Sequence, residues 1–302
     1  MSATADLILE RRRVRRRLAF WRIAAIVAVV VAVVALIPRS VGPIGGEHLA
    51  RVRITGIIFD DPLRDETLRR LAESGRVKGV IVHIDSPGGT VAGSEALYES
   101  LRKVAARKPV VAVMSEAAAS GGYITALAAD HIVARGNTLT GSIGVVAEIP
   151  NIAGLLEMMG VEVTRVKSAP LKAEPSYTTR PDAAALSAEQ ALIEDSFAWF
   201  KGLVSERRGL SGAALDEVSD GRVFTGRQAV DLGLIDAIGD EDAARDWLAE
   251  NRELAADLDA VDYDWSESPL PWPAALLEES LASFIPSRPV VSPGPRLYAI
   301  IQ

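Results

Sequence analysis

The sequence predicts an α/β protein built on a largely parallel sheet, and three observations carry that prediction. Val- and Ile-rich runs recur at 51–58, 77–84, 109–113, 130–134 and 161–167. Segments with helical spacing separate them, the alternation expected of parallel strands joined by crossover helices. Two of the runs lead into glycine-rich stretches immediately before a helix, the sheet edge at which such proteins build sites. At 302 residues and 49% hydrophobic content the chain can bury a sizeable core, as one large domain or two small ones.

The first forty residues are different in kind. Arginines 11–13 and 15–17 precede a twenty-residue apolar stretch from Leu18 to Ile37. As a helix it would extend about 30 Å, the thickness of a hydrocarbon core. Arg22 lies near its start, where a long side chain can snorkel to the headgroups. The basic cluster is expected to stay cytoplasmic, which puts everything after Arg39 on the extracytoplasmic side of the inner membrane. A cleaved signal peptide is the competing reading, but Val33-Val-Ala35, the nearest small-residue site, lies inside the apolar run. These signals divide the chain into a basic segment 1–17, a transmembrane helix 18–37, a linker 38–49, a folded body 50–261 and a tail 262–302.

In the body, Arg51–Ile58 reads as the first strand and 65–74 as a short helix. Val77–Ile84 is a buried-strand pattern ending in Asp85-Ser-Pro-Gly-Gly89, and helical spacing returns over 91–106. The next strand, 109–113, leads to Met114-Ser-Glu-Ala-Ala-Ala-Ser-Gly-Gly-Tyr123 and an Ala-rich helix from Ile124. Strands are expected at 130–134, 140–145 and 161–167, with a helix at 152–159. Beyond Pro181 helices dominate, at 183–207 and 242–254, and 222–236 joins a short strand to a helix whose end Gly233 marks. The tail from Ser266 is proline-rich, with an amphipathic piece over 272–285.

Composition excludes several functions. There is no cysteine, which rules out disulfides, thiolate nucleophiles and thiolate metal sites. The three histidines (48, 83, 131) do not stand in metal-binding spacing. Residues 1–40 hold eight arginines against two carboxylates, a charge of +6, so the remainder carries −13 of the net −7. An acidic body argues against a nucleic-acid partner.

Ser120 stands where strand becomes helix, with Gly121 and Gly122 behind it. A hydroxyl there sits beside free backbone N–H groups that favour developing negative charge, as acyl transfer requires. The plain alternative is a serine N-cap on a Gly-rich turn. The loop Asp85–Gly89 has the same setting, and its glycines let a carbonyl approach the N–H of Gly88 or Gly89. Its plain alternative is a turn capped by Asp85.

A serine nucleophile needs a base. His83 lies among Val and Ile, His131 opens a strand and His48 belongs to the linker, and none has an evident carboxylate partner. A neutral lysine can serve instead, if its surroundings lower its pKa from ~10.4 to near 7 at a cost of about 4 kcal/mol. Lys167 and Lys172 flank a two-proline stretch, Lys167-Ser-Ala-Pro-Leu-Lys172-Ala-Glu-Pro175. The ordinary fate of either is a solvated surface charge.

Four ordered motifs then point to a family: Ser-Pro-Gly-Gly at 86–89, Ala-Ala-Ser-Gly-Gly-Tyr at 118–123, Thr-Gly-Ser-Ile-Gly-Val at 140–145 and Gly-Arg-Val-Phe-Thr-Gly at 221–226. Over roughly residues 50–250 the chain resembles the signal peptide peptidase SppA family. The resemblance implies a ClpP/crotonase-like fold and a membrane-anchored serine protease with a Ser-Lys dyad, needing no cofactor or metal. By position, Ser120 is the nucleophile and Lys172 the base, with Lys167 the ordinary lysine before it. Gly89, with Gly88 and Gly121, falls at the oxyanion and substrate-binding positions, and Ser142 at one that orients the lysine. Ala169 stands where the family often has glycine. The short, single-copy form implies a ring-like homo-oligomer in which one subunit's lysine serves a neighbour's serine, acting on peptides such as released signal peptides. Two rival readings are a catalytically silent membrane scaffold and a crotonase-type acyl-CoA enzyme. An anchor, and the lack of a carboxylate base near the Ser-Gly-Gly turn, count against the latter.

Overall fold

The sheet is organised by strands whose residues alternate between two buried faces. The structure, a computed structural model, describes residues 17, 20–27, 46–265 and 298–300. β1 (His48–Ile58), β2 (Val77–Thr90) and β3 (Val110–Ala119) run parallel at the centre. Ala50, Val52 and Ile54, with Val80, Val82 and Ile84 and with Val110, Ala112 and Met114, form the main core. Leu49, Ile81, Val111 and Val113 point the other way into a smaller one. Burial on both faces makes these strands read as continuous apolar runs rather than as alternating ones.

The main core is covered by α1 (Pro62–Glu73), α2 (Val91–Ala105), α3 (Gly121–Leu127) and α5 (Ala183–Arg208), and the smaller by α8 (Glu241–Arg252). Caps set where they begin. Asp61 accepts from the N–H groups of Leu63 and Arg64 with Pro62 in the first turn, and Asp182 accepts from Ala185 N–H. α5 stops at Gly209, which takes the left-handed conformation.

Strands β8 (Ala260–Tyr263), β1, β2 and β3 lie side by side and parallel. Past β3 the sheet forks. β4 (His131–Ala134) pairs with the first half of β3 and then with β7 (Ala237–Ile238). β5 (Leu139–Gly141) pairs with the last residues of β3, and β6 (Val223–Thr225) adds antiparallel to β5. β9 (Tyr298–Ile300) also pairs antiparallel, with β2. The remaining helices of the described body, 46–265, are α4 (Ala153–Met158), α6 (Gly212–Val218) and α7 (Gly226–Asp231). The α/β class and the largely parallel sheet are as expected.

Several expectations need correction. β2 does not turn at Asp85 but stays extended through Thr90, because β1 continues to pair with it as far as Gly89. β3 likewise runs on to Ala119, held by β5. His48 is not in a linker: it opens β1, is buried and bonds the Tyr263 hydroxyl at 2.8 Å. The expected strand at 161–167 is irregular, since among the described residues no strand pairs with it, and Val166 is 97% exposed. Most of the expected membrane helix falls outside the described residues; within it, 20–27 are helical. Among the described residues no helix is long and apolar enough to cross a membrane. The amphipathic piece at 272–285 also lies outside them.

Candidate active site

The four motifs converge. β3 ends at Ala119, and Ser120 turns the chain into α3 with φ 53° and ψ −116°, a conformation costly for a residue with a side chain. Its N–H donates to Gly141 O at 2.8 Å and its carbonyl accepts from Ile124 N–H at 2.9 Å. The turn is thus clamped between β5 and the first turn of its own helix.

α3 begins directly against the β2 backbone. A Cβ on Gly122 would lie 2.7 Å from Ser86 O. One on Gly121 would lie 2.4 Å from Ser94 Oγ and 3.0 Å from Gly89 N. A Cβ on Gly89 would meet Ile58 O at 2.0 Å. The glycines of the two loops therefore answer two close approaches, of α3 to β2 and of β2 to β1. Ser86 Oγ stabilises the extended loop by donating to Gly56 O at 2.7 Å and accepting from Gly88 N–H at 3.1 Å. The Gly88 N–H is engaged there, and the Gly89 amide nitrogen faces the Ser120–Gly121 turn.

The other end of α3 is secured by side chains. Tyr123 is fully buried and donates its hydroxyl to Leu234 O at 2.7 Å. Arg207 donates to Leu127 O and Ala129 O, and Arg102 to Ala128 O, each at 2.8 Å. Two guanidinium groups at a helix C-terminus satisfy its free carbonyls and oppose the dipole's negative end. The sequence reading missed this pair, which the 3.6-residue period of α2 and α5 alone cannot aim at α3.

The last two motifs also meet each other. Thr140 pairs with Phe224, the Phe224 ring occupies the space a Cβ on Gly141 would need, and Ser142 N–H donates to Arg222 O at 2.8 Å. Ser142 follows the carbonyl that holds Ser120 and is itself at positive φ.

Ser120 is fully buried, and its Oγ has no hydrogen-bond partner among the described residues. No histidine serves it. His83 Nε2 contacts Glu241 Oε2 at 2.7 Å and His131 Nδ1 lies 3.7 Å from Asp236. The lysines are separated by role. Lys167 contacts Glu174 at 2.7 Å and donates to Pro170 O, while Arg165 holds the same carboxylate at 2.6 Å. The Lys167 hydrogen bond, aided by Arg165, keeps the Glu174 carboxyl below its usual range. Lys172 is exposed, and its ammonium has no hydrogen bond or ion pair among the described residues. Its loop is anchored by Asn151, whose amide donates to Ser176 O and Thr179 O at 3.0 and 2.8 Å. The single chain therefore brings together Ser120, Gly121, Gly88, Gly89 and the Ser142 turn, and leaves Lys172 apart from the Ser120 hydroxyl. A second buried hydroxyl without a partner, Ser94 Oγ, lies beside Gly121. Only the helical period of α2 could have marked it, as a core position.

Comparison with known proteins bears on this constellation. The sequence profile of peptidase family S49 matches residues 102–255. A putative protease of Synechocystis sp. is 39% identical over 227 residues, covering 74% of this chain and 81% of that protein. The chain belongs to peptidase family S49, the SppA family. A putative signal peptide peptidase SppA of Enterococcus faecium is 34% identical over 197 residues, 65% of this chain and 57% of that one. Protease 4 of Salmonella typhi is 38% identical over 181 residues, 60% of this chain. The matched region spans only 29% of that longer relative. The S49 profile takes in β3, Ser120, the Lys172 loop and the β5–β6 pair, so the family assignment falls on the residues that build the site.

Proposed function

We propose that this S49 peptidase is a membrane-anchored serine endopeptidase that degrades apolar peptides such as released signal peptides, with Ser120 as nucleophile and Lys172 as base. The observation that carries the reading is the Ser120 hydroxyl: buried, without a partner among the described residues, and held in a strained turn against the Gly89 amide. Buried polar groups are seldom left unpaired without a functional reason.

In this reading neutral Lys172 takes the Ser120 proton as Oγ bonds to the peptide carbonyl carbon. N–H groups at Gly89 and Gly121 stabilise the oxyanion, each such donor contributing about 3–4 kcal/mol. The C–N bond then breaks and Lys172 returns the proton to the departing amine. Water, deprotonated by Lys172, attacks the ester, the C–Oγ bond breaks, and Lys172 returns that proton to Ser120 Oγ as the acid leaves.

The lysine is supplied by a neighbouring copy in a ring-like oligomer. Support comes from the contrast between a buried Ser120 and an exposed Lys172 on one chain. In the same 150–180 segment Leu155, Met158, Met159, Val166 and Leu171 are also exposed, apolar surface of the kind an intersubunit contact covers. The apolar 18–37 stretch would hold the site beside the bilayer from which such peptides emerge.

The test is cleavage of an apolar peptide, with acylation of Ser120 by a peptide-like serine probe. Wild type should cleave and label, Ser120→Ala should do neither, and Lys172→Ala should lose both to background. Full activity in either variant removes that residue's role, and absence of labelling in the intact protein favours the silent scaffold.

A further inference from the structure

Of the three cations within 165–175, Lys172 is the one that the loop's own carboxylate does not hold. Arg165 Nη1 and Lys167 Nζ both donate to Glu174 Oε1, at 2.6 and 2.7 Å. Val166, between them, is turned to solvent. The same two side chains also tie the backbone: Arg165 Nη2 donates to Ala173 O at 2.7 Å, and Lys167 Nζ to Pro170 O. Lys172 N–H donates to Ala169 O at 3.1 Å and Glu174 N–H to Leu171 O at 3.3 Å, with Ala173 at φ 57°. These bonds bracket Lys172 on both sides. Its ammonium is left without a hydrogen bond or ion pair among the described residues.

Glu174 is two residues from Lys172, at most about 7 Å along the chain. A carboxylate that close is a natural partner for a lysine, and an opposite charge holds an ammonium in its charged form. A general base must be neutral before it can take a proton. We infer that Arg165 and Lys167 are positioning residues of the proposed base: they commit Glu174 to themselves, so that Lys172 is presented without a counter-ion. The inference rests on the Ser120–Lys172 reading above and deepens it. Exposed ion pairs contribute little singly. Here one carboxylate takes two cations and its side chain is only 11% exposed, so a change of partner is opposed by both. The three groups together carry +1, and a like charge nearby disfavours the protonated amine. The segment's other carboxylates stand farther along the chain: Glu148, Glu157 (paired with Arg180 at 3.1 Å), Glu162 and Asp182 (which caps α5).

The double variant Arg165→Gln/Lys167→Gln removes both cations and keeps a hydrogen-bond donor at each position. It frees Glu174 for Lys172 and should lower kcat/KM for an apolar peptide about 10-fold near neutral pH, the low end of what one adjacent opposite charge does. The rising limb of kcat/KM against pH should move upward. Adding Glu174→Gln removes the freed carboxylate and should recover at least about 3-fold, with the limb moving back. A role confined to bracing the loop predicts the reverse order, because the third substitution removes what remains of the brace.

Arylation by trinitrobenzenesulfonate consumes only the neutral amine and gives a readout independent of turnover. In a Ser120→Ala background, with oligomeric state matched by sedimentation, mass spectrometry should find Lys172 labelled about 10-fold more slowly in the double variant. Labelling should recover in the triple. A double variant labelled as fast as the unmodified loop overturns the proposal, and so does a triple variant no faster than the double. If labelling follows the expected order while no form cleaves peptide, the proteolytic reading fails and the assignment of Arg165 and Lys167 stands.

Discussion

Ser120 donates its backbone N–H to the carbonyl of Gly141 at 2.8 Å, and this bond holds the strand-to-helix turn against the end of β5. With Ile124 N–H bonded to the Ser120 carbonyl, both backbone groups of the residue are fixed while its hydroxyl is left without a partner among the described residues. The turn thus separates the backbone, which is fully constrained, from the group that would do chemistry.

The strain at φ 53° gives a first prediction. A non-glycine residue in such a region costs of order 1–3 kcal/mol, and glycine relieves it. Ser120→Gly should therefore be inactive yet more thermostable, by roughly 2–4 °C per kcal/mol recovered in a domain of this size. Ser120→Ala should be inactive with little change in melting temperature. Equal melting temperatures for the Gly and Ala variants, read by thermal denaturation, would contradict stored strain at this turn.

The contact between the two glycine loops gives a second. Gly121→Ala puts a methyl 2.4 Å from Ser94 Oγ and 3.0 Å from Gly89 N. Overpacking of this kind costs about 1–3 kcal/mol. Ser94→Ala alone should be near neutral, since its hydroxyl makes no hydrogen bond among the described residues. Combined with Gly121→Ala it should recover most of the lost stability but not the activity, because the methyl still crowds the Gly89 amide. Chemical denaturation and peptide cleavage on the four forms of the cycle separate the two effects.

Which parts of this site were legible in sequence follows from which interactions are local. The Ser-Gly-Gly turn was legible because a strand pattern, a small-residue bend and a helix are consecutive in the chain. That Gly121 and Gly122 pack on Ser86–Gly89 is a long-range contact, and the sequence offered only two similar loops with no sign that they touch. The same limit explains Asp85–Gly89, read as a turn yet extended, since only the β1 partner keeps it so. It also explains 161–167, where a strand-forming pattern lacks a neighbour and remains irregular. The lysines were ambiguous because a loop's composition does not say which ammonium finds a carboxylate; the structure gives Lys167 to Glu174.

Acid should weaken the fold in two stages, by groups away from the site. His131 stacks on Trp247 at 4.8 Å, and burial lowers its pKa although Asp236 opposes the shift. A lowered folded-state pKa means the unfolded chain binds the proton first, so stability present above about 6.5 begins to fall below it. Burial alone would raise the Glu241 carboxyl, but hydrogen bonds from Arg51 and His83 outweigh it and hold it at about 2. Its contribution is complete above an unfolded value of about 4.3 and is lost as pH falls toward 2. Unfolding free energy measured against pH should show both stages. His131→Phe should flatten the upper one and Glu241→Gln the lower.

The separation of Lys172 from Ser120 on one chain gives the last prediction. Ser120→Ala keeps the lysine and Lys172→Ala keeps the serine, and each should be inactive alone. In mixed rings whose repeating contacts run head to tail, a productive site needs a serine-bearing subunit beside a lysine-bearing one. Random mixing in equal amounts then restores about a quarter of the sites. If serine and lysine belong to the same chain, every subunit in the mixture lacks one of them and no activity returns. Unfolding the two variants together and refolding them before the cleavage measurement allows the subunits to exchange. A fully inactive mixture that assembles into the same oligomer as wild type would place the base within the chain. Activity near a quarter of wild type, absent when the variants are refolded apart, is the expected result, because the exposed Lys172 ammonium and the buried Ser120 hydroxyl are each unpartnered among the described residues of one chain.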